Sequence, residues 1–284
     1  MTIALLTDFG QRDIYVGVMK GVILGIDPAA QMVDLNHGVE PQNVRQAALS
    51  LMSAYRYFPL GTIFLVVVDP GVGTTRRPVA AEAGGYKFVA PDNGVLSYTL
   101  SELGEYQAVE IDIPEEAEIS NTFHGRDVFA PVAAKLSLST SLTDLGSPLK
   151  KLQSLPSPVL YVDGKNVVGE VVHIDRFGNL VTSIGHLRWV TPERLMLKPS
   201  FGDNSGQITP VFAENTIVTV NDQTIVSIKQ TYSEAERGSL LTLVGSNSYL
   251  EISVNQGNAA SRLDVTIGDR VELQIGDLDA AVFD

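Results

Sequence analysis

The first half of the chain alternates short apolar runs with segments that have helical periodicity. Apolar runs bounded by turn residues predict buried strands. We place these strands at residues 2–7, 31–36, 63–68, 78–83, 86–90 and 108–113. The strands at 78–83 and 86–90 are predicted to form a hairpin around Gly84 and Gly85. Helices are predicted at residues 14–26, 43–58 and 95–103, and a further helix follows Asp127. Asn43 is the predicted N-cap of the second helix. Because this alternation is typical of doubly wound folds, we predict an N-terminal α/β domain with a mostly parallel, Rossmann-like sheet.

The second half has a different pattern, in which apolar and polar residues alternate between clusters of turn residues. Such period-two segments predict strands with one buried face. They lie at residues 166–175, 179–184, 217–220, 240–244, 251–254 and 270–274. A series of short strands without long helices predicts an all-β, barrel-like C-terminal domain.

Residues 146–158 separate the two patterns. This segment is rich in serine, proline and lysine, a composition typical of a linker. We therefore predict an α/β domain at residues 1–150 and a β-barrel domain at residues 151–284.

The first predicted helix contains glycines that recur on one face, at Gly17, Gly21 and Gly25. Glycine lowers the stability of a helix, so a repeated glycine needs a reason. We expect this face to pack closely against a sheet or another helix. A ligand near the N-terminal end of the face stays open as an alternative.

Composition narrows the classes of function. The chain has 284 residues, of which 44% are hydrophobic, so it can bury a large core. The formal net charge is −13 and no tract is rich in lysine or arginine, which argues against nucleic acid as a partner. We find no membrane-length apolar run and no secretory signal, so we expect a cytoplasmic protein that does not bind a membrane. The absence of cysteine excludes disulfides and cysteine nucleophiles.

Polar loops follow the predicted strands of the first half, where ligands bind in open α/β sheets. These loops span residues 8–13, 37–42, 69–77 and 91–94, and another at residues 122–127 precedes a helix. In the third loop, Asp69 directly follows the apolar run. Its role stays open between a catalytic carboxylate and a residue that only caps the turn before Pro70.

Several catalytic motifs are absent from the sequence. It contains no phosphate-binding GxxxxGK[ST] loop, no dinucleotide-binding GxGxxG and no GxSxG of serine hydrolases. Side chains with ligand chemistry suited to a metal are Asp8, His37, Asp69, Asp92 and His124. No HxxxH or HExxH spacing supports such a site, so we expect no metal. A metal-dependent hydrolase that uses these residues stays open as an alternative.

Separate motifs in the two halves together resemble one known family. They lie, in chain order, at residues 6–10, 36–39, 68–73, 122–127, 175–179 and 250–260. Two of them have the sequences VDPGVG and TFHGRD. In this combination the chain resembles the S-adenosylmethionine hydroxide adenosyltransferases, or SAM hydrolases, which are relatives of the SAM-dependent fluorinase and chlorinase.

The resemblance implies hydrolysis of S-adenosyl-L-methionine to adenosine and L-methionine, with no metal and no cofactor. It also implies a homotrimer with active sites between subunits. The catalytic Asp-Arg-His trio of the family falls on Asp69, Arg76 and His124, which would orient and activate a water. Arg77 lies next to Arg76 and leaves this assignment ambiguous. The sequence does not decide which residue takes the proton of the water.

Further positions match residues that hold the substrate in the family. Asp8 matches a carboxylate that accepts both ribose hydroxyls, a task suited to two acceptor oxygens. The residues matched to the methionine part are Asp13, Tyr15, Ser246 and Glu251. The residues matched to adenine are Phe177 and Asn179, with Val254 and Ala259 through their backbone.

Two other functions stay open besides the metal enzyme. One is a halogenase that forms 5′-halo-5′-deoxyadenosine, since the resemblance extends to these enzymes. They carry an extra loop after the region of residues 91–94 and lack the motifs of Asp69 and His124, whereas this chain has no such loop and keeps both motifs. A buried Asp69 would also repel a halide. The other alternative is a non-catalytic protein that binds adenosine or S-adenosyl-L-methionine.

Overall fold

The structure, a computed structural model, describes residues 1–114, 116, 118–202 and 207–276. The chain forms two compact units, Met1–Pro156 and Ser157–Asp284. Within the described residues, no helix is long and apolar enough to cross a membrane. The cytoplasmic location stays a prediction.

The first unit is built on one sheet. Its strands are β1 (Thr2–Thr7), β2 (Gln31–Asn36), β3 (Ile63–Val67), β4 (Pro78–Ala83), β5 (Tyr86–Pro91), β6 (Tyr106–Ile111) and β7 (Gly146–Leu149). They lie in the order β2-β1-β3-β5-β4-β6-β7. The pairs β1–β2, β1–β3 and β3–β5 are parallel, whereas β4–β5, β4–β6 and β6–β7 are antiparallel.

The sheet is therefore mixed, and the mostly parallel, Rossmann-like character that we predicted is not confirmed. The reason is the short connection at Gly84 and Gly85, which joins β4 and β5 as the predicted hairpin. Strands joined by so tight a turn must be antiparallel, because a parallel pair needs a long crossover. Parallel pairing is thus confined to the half of the sheet that carries the Asp8 and Asp69 loops.

Helices cover both faces of this sheet. They are α1 (Tyr15–Ile26), α2 (Val44–Ala54), α3 (Ser97–Leu103) and α4 (Ala130–Ser137), with a π-helical turn at Gly125–Phe129 before α4. Along β1, Ile3 and Leu5 share a core with residues of α1 and α4, while Ala4 and Leu6 share a core with residues of α2 and α3. Because both faces are buried, the central strands are continuous apolar runs.

The start of α2 has the predicted helix cap. Asn43 caps α2 because its Oδ1 accepts a hydrogen bond from the backbone N–H of Gln46 at 2.9 Å.

The glycine face of α1 does not pack as we expected. Gly17, Gly21 and Gly25 are exposed, and apart from adjacent residues and the backbone of α1 itself, no described atom lies within 4 Å of the position that a Cβ would take at any of them. The close packing that we expected within the chain is therefore wrong.

The strand β7 lies inside the segment that we predicted as a linker. It pairs with β6, and a Cβ at Gly146 would lie 1.8 Å from the carbonyl oxygen of Glu110. Pro148 is tolerated there because β7 is an edge strand. A serine- and proline-rich composition thus did not distinguish an edge strand from a linker.

The second unit is mostly β. Its strands are β8 (Leu160–Asp163), β9 (Asn166–Ile174), β10 (Leu180–Gly185), β11 (Leu187–Thr191), β12 (Arg194–Leu197), β13 (Thr209–Phe212), β14 (Ile217–Val220), β15 (Gln223–Val226), β16 (Ile228–Lys229), β17 (Leu240–Val244), β18 (Tyr249–Val254) and β19 (Arg270–Gln274). One short helix, α5 (Ala259–Leu263), follows β18. Every strand predicted in this half is present.

Most of these strands form one sheet in the order β15-β14-β19-β9-β10-β18-β17-β16, and β8 pairs with β9. The edge strand β15 contacts β17, which is next to the opposite edge, so the sheet nearly closes on itself. The predicted barrel-like character is confirmed in this form. The strands β11, β12 and β13 form a separate small sheet that the sequence pattern did not indicate.

Candidate active site

In the first unit, the loop after β3 brings Asp69 and Arg76 together. Backbone hydrogen bonds from Val72 to Asp69 (3.2 Å) and from Thr74 to Gly71 (3.1 Å) turn the chain back on itself. Arg76 Nε then donates to Asp69 Oδ1 at 3.0 Å and to Oδ2 at 2.9 Å, and Arg76 Nη2 donates to Oδ2 at 2.5 Å. The two side chains are only 6% and 7% exposed, so this is a buried ion pair.

Gly73 allows a second loop to approach the first. Its φ is +76°, and a Cβ there would lie 2.4 Å from the carbonyl oxygen of Asn121. Any side chain would therefore push away the segment that leads to His124. The sequence VDPGVG thus shapes the contact between two loops as well as the turn itself.

His124 completes a chain of three side chains. Its Nδ1 lies 2.7 Å from Arg76 Nη2, and a guanidinium can only donate. Nδ1 must therefore accept, which places the hydrogen of the neutral ring on Nε2. Burial, followed by the positive charge of Arg76, lowers the pKa of His124 below its ordinary value, although Asp69 and Asp127 act in the opposite direction. The arrangement favours a neutral imidazole.

Asp69 and His124 line a cavity of 290 Å³ together with Asp8. The other lining residues are Phe9, Pro41, Gln42, Val67, Pro70, Val72, Thr122, Phe123 and Gly125. One oxygen of Asp8, Oδ2, accepts a hydrogen bond from the backbone N–H of Gln42 at 2.7 Å. This bond fixes the carboxylate at the cavity and leaves its other oxygen for a ligand.

The two residues predicted near the methionine part lie outside this lining. Asp13 is exposed, and Tyr15 is 46% exposed. The Tyr15 ring packs against Phe9 at 5.6 Å and Phe123 at 5.2 Å between ring centroids, and both of those rings line the cavity. Tyr15 thus borders the site through its neighbours, and the predicted roles of Asp13 and Tyr15 stay predictions.

Arg77 has a different partner from Arg76. It forms an ion pair with Asp92, whose side chain is 1% exposed, and Asp92 Oδ1 accepts a hydrogen bond from the backbone N–H of Gln153 at 2.7 Å. The ambiguity between the two arginines is therefore resolved in favour of Arg76 as the partner of Asp69.

Sequence analysis missed Asn93, whose Nδ2 donates to the carbonyl oxygen of Val68 at 2.9 Å and fixes the strand end before Asp69.

Three of the five residues considered for a metal, His37, Asp69 and Asp92, have other partners. His37 Nδ1 lies 2.9 Å from Thr7 Oγ1, and His37 Nε2 lies 2.9 Å from Asp34 Oδ1. Asp69 and Asp92 each pair with an arginine. In the part of the chain that the structure describes, no three His, Asp or Glu side chains are grouped so that they could hold a metal ion.

The second unit has its own cavity, of 390 Å³. Its lining residues are Phe177, Asn179, Tyr232, Val254, Gln256 and Gly257. The ring of Phe177 is 70% exposed, whereas Asn179 is buried. Sequence analysis predicted Phe177, Asn179 and Val254 but missed Tyr232, which lies in a short helical turn with no periodic pattern. Gln256 and Gly257 lie within a motif that we quoted without giving them a role.

Glu251 lies behind Tyr232 and is not part of the lining. The Tyr232 hydroxyl donates to Glu251 Oε1 at 2.6 Å, and the Ser253 hydroxyl donates to the same oxygen at 2.8 Å. Burial and the bond to Glu251 raise the pKa of Tyr232. Ser246 is exposed in the turn between β17 and β18, and Ala259 is buried at the start of α5. The predicted substrate contacts of these residues stay predictions.

Fold and site together define a class of protein. An α/β unit carries a hydrogen-bonded acid–guanidinium–imidazole chain at a cavity, and a β unit carries a cavity lined by aromatic rings and amides. Residues 3–146 match the family profile described as the SAM hydroxide adenosyltransferase N-terminal domain, and residues 169–272 match that of the C-terminal domain. The chain belongs to the SAM hydroxide adenosyltransferase family.

Individual relatives agree with this assignment. The (R)-S-adenosyl-L-methionine hydrolase of Salinispora tropica is 35% identical over 96% of this chain and 98% of its own length. The enzyme of the same name from Thermus thermophilus is 36% identical over 94% and 97%. A solved structure of an uncharacterized conserved protein from Thermotoga maritima is 38% identical, has a TM-score of 0.83, and covers 96% of this chain and 99% of that one. Relatives named fluorinase are less similar, at 26–31% identity.

Proposed function

We propose that this protein hydrolyses S-adenosyl-L-methionine to adenosine and L-methionine. Relatives named for this hydrolysis match nearly the whole chain at 31–36% identity. The observation that carries the proposal is the hydrogen-bonded chain of Asp69, Arg76 and His124 at a cavity that also contains Asp8. Such a chain can hold a water in one orientation, and a water is the second reactant.

In the proposed reaction, a water oxygen bonds to the ribose C5′ from the side opposite to sulfur, and the C5′–S bond breaks. The electron pair of that bond goes to sulfur, which leaves as the neutral thioether of methionine, and the water loses one proton. A neutral leaving group needs neither a general acid nor a Lewis acid. We therefore propose a metal-independent reaction without a cofactor, in which correct positioning supplies about 7–11 kcal/mol.

His124 acts in this proposal as a hydrogen-bond donor to the water. Its Nδ1 is occupied by Arg76, so the Nε2–H of the neutral ring is the group that can meet the water oxygen. Asp69 is proposed to take the proton because, of the two carboxylates that line the cavity, it is the one that belongs to the chain with His124. Arg76 holds both side chains in place.

The remaining predicted residues are proposed to bind the substrate. Asp8 accepts the ribose hydroxyls at the first-unit cavity. The methionine part is assigned to Asp13, Tyr15, Ser246 and Glu251. Adenine is assigned to the second-unit cavity, with Phe177, Asn179, Val254 and Ala259.

We also propose that the substrate is the (R) epimer at the sulfonium sulfur, the form specified in the names of the hydrolase relatives. The two epimers place the methyl and the aminocarboxypropyl group on exchanged sides of sulfur. A rigid site can therefore accept one and reject the other. Comparing the hydrolysis rates of the separated epimers tests this point, and equal rates would remove it.

A homotrimer is proposed on the basis of the family resemblance, with each active site formed by the first unit of one subunit and the second unit of another. Neither cavity alone offers all the groups that the substrate needs. Exposed apolar side chains on the first unit support an interface there, since Ile14 is 75% and Leu24 is 43% exposed. The molar mass in solution, measured by light scattering, tests the trimer.

The function itself is tested by product analysis. Purified protein should convert S-adenosyl-L-methionine to equal amounts of adenosine and L-methionine, and a chelator should leave the rate unchanged. Fluoride or chloride should yield no 5′-halo-5′-deoxyadenosine. If adenosine never accumulates while the substrate binds, the protein is a binding protein and the proposal fails.

A further inference from the structure

The loop Asp175–Asn179 fixes the buried amide of the second-unit cavity. Asp175 Oδ1 accepts hydrogen bonds from the backbone N–H of Phe177 at 2.8 Å and of Asn179 at 2.9 Å. Its other oxygen, Oδ2, accepts from the side-chain Nδ2 of Asn179 at 2.9 Å. Gly178 packs this loop against the start of α5, where a Cβ would lie 2.1 Å from Asn258 Cγ. Asp175 is therefore held rigidly beside the amide.

This contact determines which way the amide faces. An ionised carboxylate only accepts hydrogen bonds, so the amino side of Asn179 must point to Asp175. If the amide turned over, Asn179 Oδ1 would face Asp175 Oδ2, and two acceptors would lie together without a hydrogen. The carbonyl oxygen and the second N–H of Asn179 stay available, and no described residue donates a hydrogen bond to Oδ1.

We infer that Asp175 sets the preference of this cavity for a purine with an amino group at position 6 over one with an oxo group. The inference rests on the proposed function, which assigns the adenine of the substrate to this cavity. Adenine presents an N6–H donor beside a ring-nitrogen acceptor, and an asparagine amide pairs with both. A purine with an oxygen at position 6 would instead meet Asn179 Oδ1 with a second acceptor.

The other side chains of the cavity do not supply this selectivity. Phe177 and Tyr232 offer aromatic surfaces, and stacking tolerates any base because every base has a π-face. The Gln256 amide is exposed and has no hydrogen-bond partner among the described residues, so it can turn to meet either base. Asp175 does not line the cavity itself, so it is a positioning residue. Its Oδ1 holds the loop through two backbone N–H groups, whereas its Oδ2 orients the Asn179 amide. Loss of the second contact predicts a change in base preference beyond any change in overall affinity.

The test compares the binding of adenosine and inosine, two nucleosides that differ at position 6, to the full-length protein by calorimetry. Wild-type protein should prefer adenosine by about 10- to 100-fold. In Asp175→Asn, the new amide keeps the backbone bonds but can donate to a turned-over Asn179, so the preference should fall at least tenfold or invert. Asp222→Asn removes the same charge from an exposed turn between β14 and β15 and should keep the wild-type ratio.

Equal binding of the two nucleosides by wild-type protein would overturn the inference, as would an unchanged ratio in a folded Asp175→Asn. If that variant does not fold, Asp175→Ser retains an acceptor for the turn and should lose the preference as well. Hydrolysis of S-adenosyl-L-methionine is measured in parallel. If the protein hydrolyses the substrate but shows no base preference, the proposed function holds and this inference fails. If it shows the base preference but no hydrolysis, this inference holds and the proposed function fails.

Discussion

The two cavities differ in how far their polar groups are arranged within the protein itself. In the first unit, Asp69, Arg76 and His124 are already bonded to one another, and the ion pair is almost fully buried. In the second unit, the main aromatic surface is exposed, and one amide is held by a neighbouring carboxylate. Charged groups that are fixed in advance stabilise a transition state without rearranging. Exposed rings can add affinity for a base but have no means of activating a water.

The difference suggests a division of work, in which the first-unit cavity activates the water and the second-unit cavity binds the base. Steady-state kinetics can distinguish these two roles. Changes in the first-unit chain should lower kcat, because they remove interactions that matter in the transition state. Changes in the second-unit cavity should raise KM and leave kcat almost unchanged, because they remove binding that is the same for substrate and transition state. Each experiment below tests one side of this comparison.

The largest effect is expected for Asp69→Asn. The variant keeps the shape of the side chain but removes the proton acceptor and the charge that pairs with Arg76. We expect kcat to fall by about 10²–10⁴-fold, with adenosine binding retained. Glu105→Gln, which removes a charge at an exposed site of the same unit, should match wild type. A near wild-type kcat in Asp69→Asn would remove this residue from the mechanism.

A smaller effect separates a donor role of His124 from a role as base. In His124→Gln, the amide can accept from Arg76 and donate to a water, as the neutral ring does, whereas His124→Ala can do neither. We expect kcat of the glutamine variant to exceed that of the alanine variant by about tenfold, the value of one hydrogen bond. Steady-state rates of both variants decide the matter. Equal rates of the two variants would indicate that His124 acts as a base and not as a hydrogen-bond donor.

In the second unit, Phe177→Ala should raise KM by about fivefold, near the lower end of the stacking contribution, because the ring is largely exposed. The value of kcat should change by less than about twofold. Val226→Ala, at another exposed apolar side chain of the same unit, is the matched control. A drop in kcat that exceeds the rise in KM would contradict the division of work.

The smallest effect is in the pH dependence. Burial and Arg76 lower the pKa of His124, so the neutral ring persists to lower pH than in an exposed histidine. At pH 6.5, the ordinary value, less than half of the His124 rings should be protonated, so kcat should stay above half of its plateau value. The raised pKa of Tyr232 keeps its hydroxyl protonated up to at least about pH 10, so KM should stay flat on the alkaline side. A kcat that falls below half of its plateau value above pH 6.5 in wild type, but not in His124→Gln, would contradict the neutral ring.

Local pattern predicted much of the fold. The strand β1 and the hairpin of β4 and β5 were predicted from apolar runs and turn residues, because these signals lie within one segment. The mixed sheet was not, since strand direction depends on which strands pair across the chain. The small sheet of β11, β12 and β13 has no strong alternation, and its pairing is what makes it a sheet.

Prediction of the site from the sequence is limited in the same way, because contacts between distant segments are not visible in a local pattern. Asp69, Arg76 and His124 were singled out through motifs, but only the fold assigns Arg77 to Asp92 and Arg76 to Asp69. Tyr232 carries no sequence signal at all, and Asn93 lies in the loop of residues 91–94 that the sequence pattern indicated, but no sequence feature assigned it a role. Their contacts to Glu251 and to the Val68 carbonyl depend on the tertiary structure. Asp175 lies in one of the motifs, but its hydrogen bond with the Asn179 amide depends on the tertiary structure.

The central claim is that the first-unit chain directs a water to C5′ of the ribose. Hydrolysis in ¹⁸O-labelled water, followed by mass spectrometry of both products, tests it most directly. We predict that the label enters the 5′-hydroxyl of adenosine and that methionine stays unlabelled, with inversion when the substrate carries a stereospecific label at C5′. Label in methionine, retention at C5′, or adenosine without label would contradict the account.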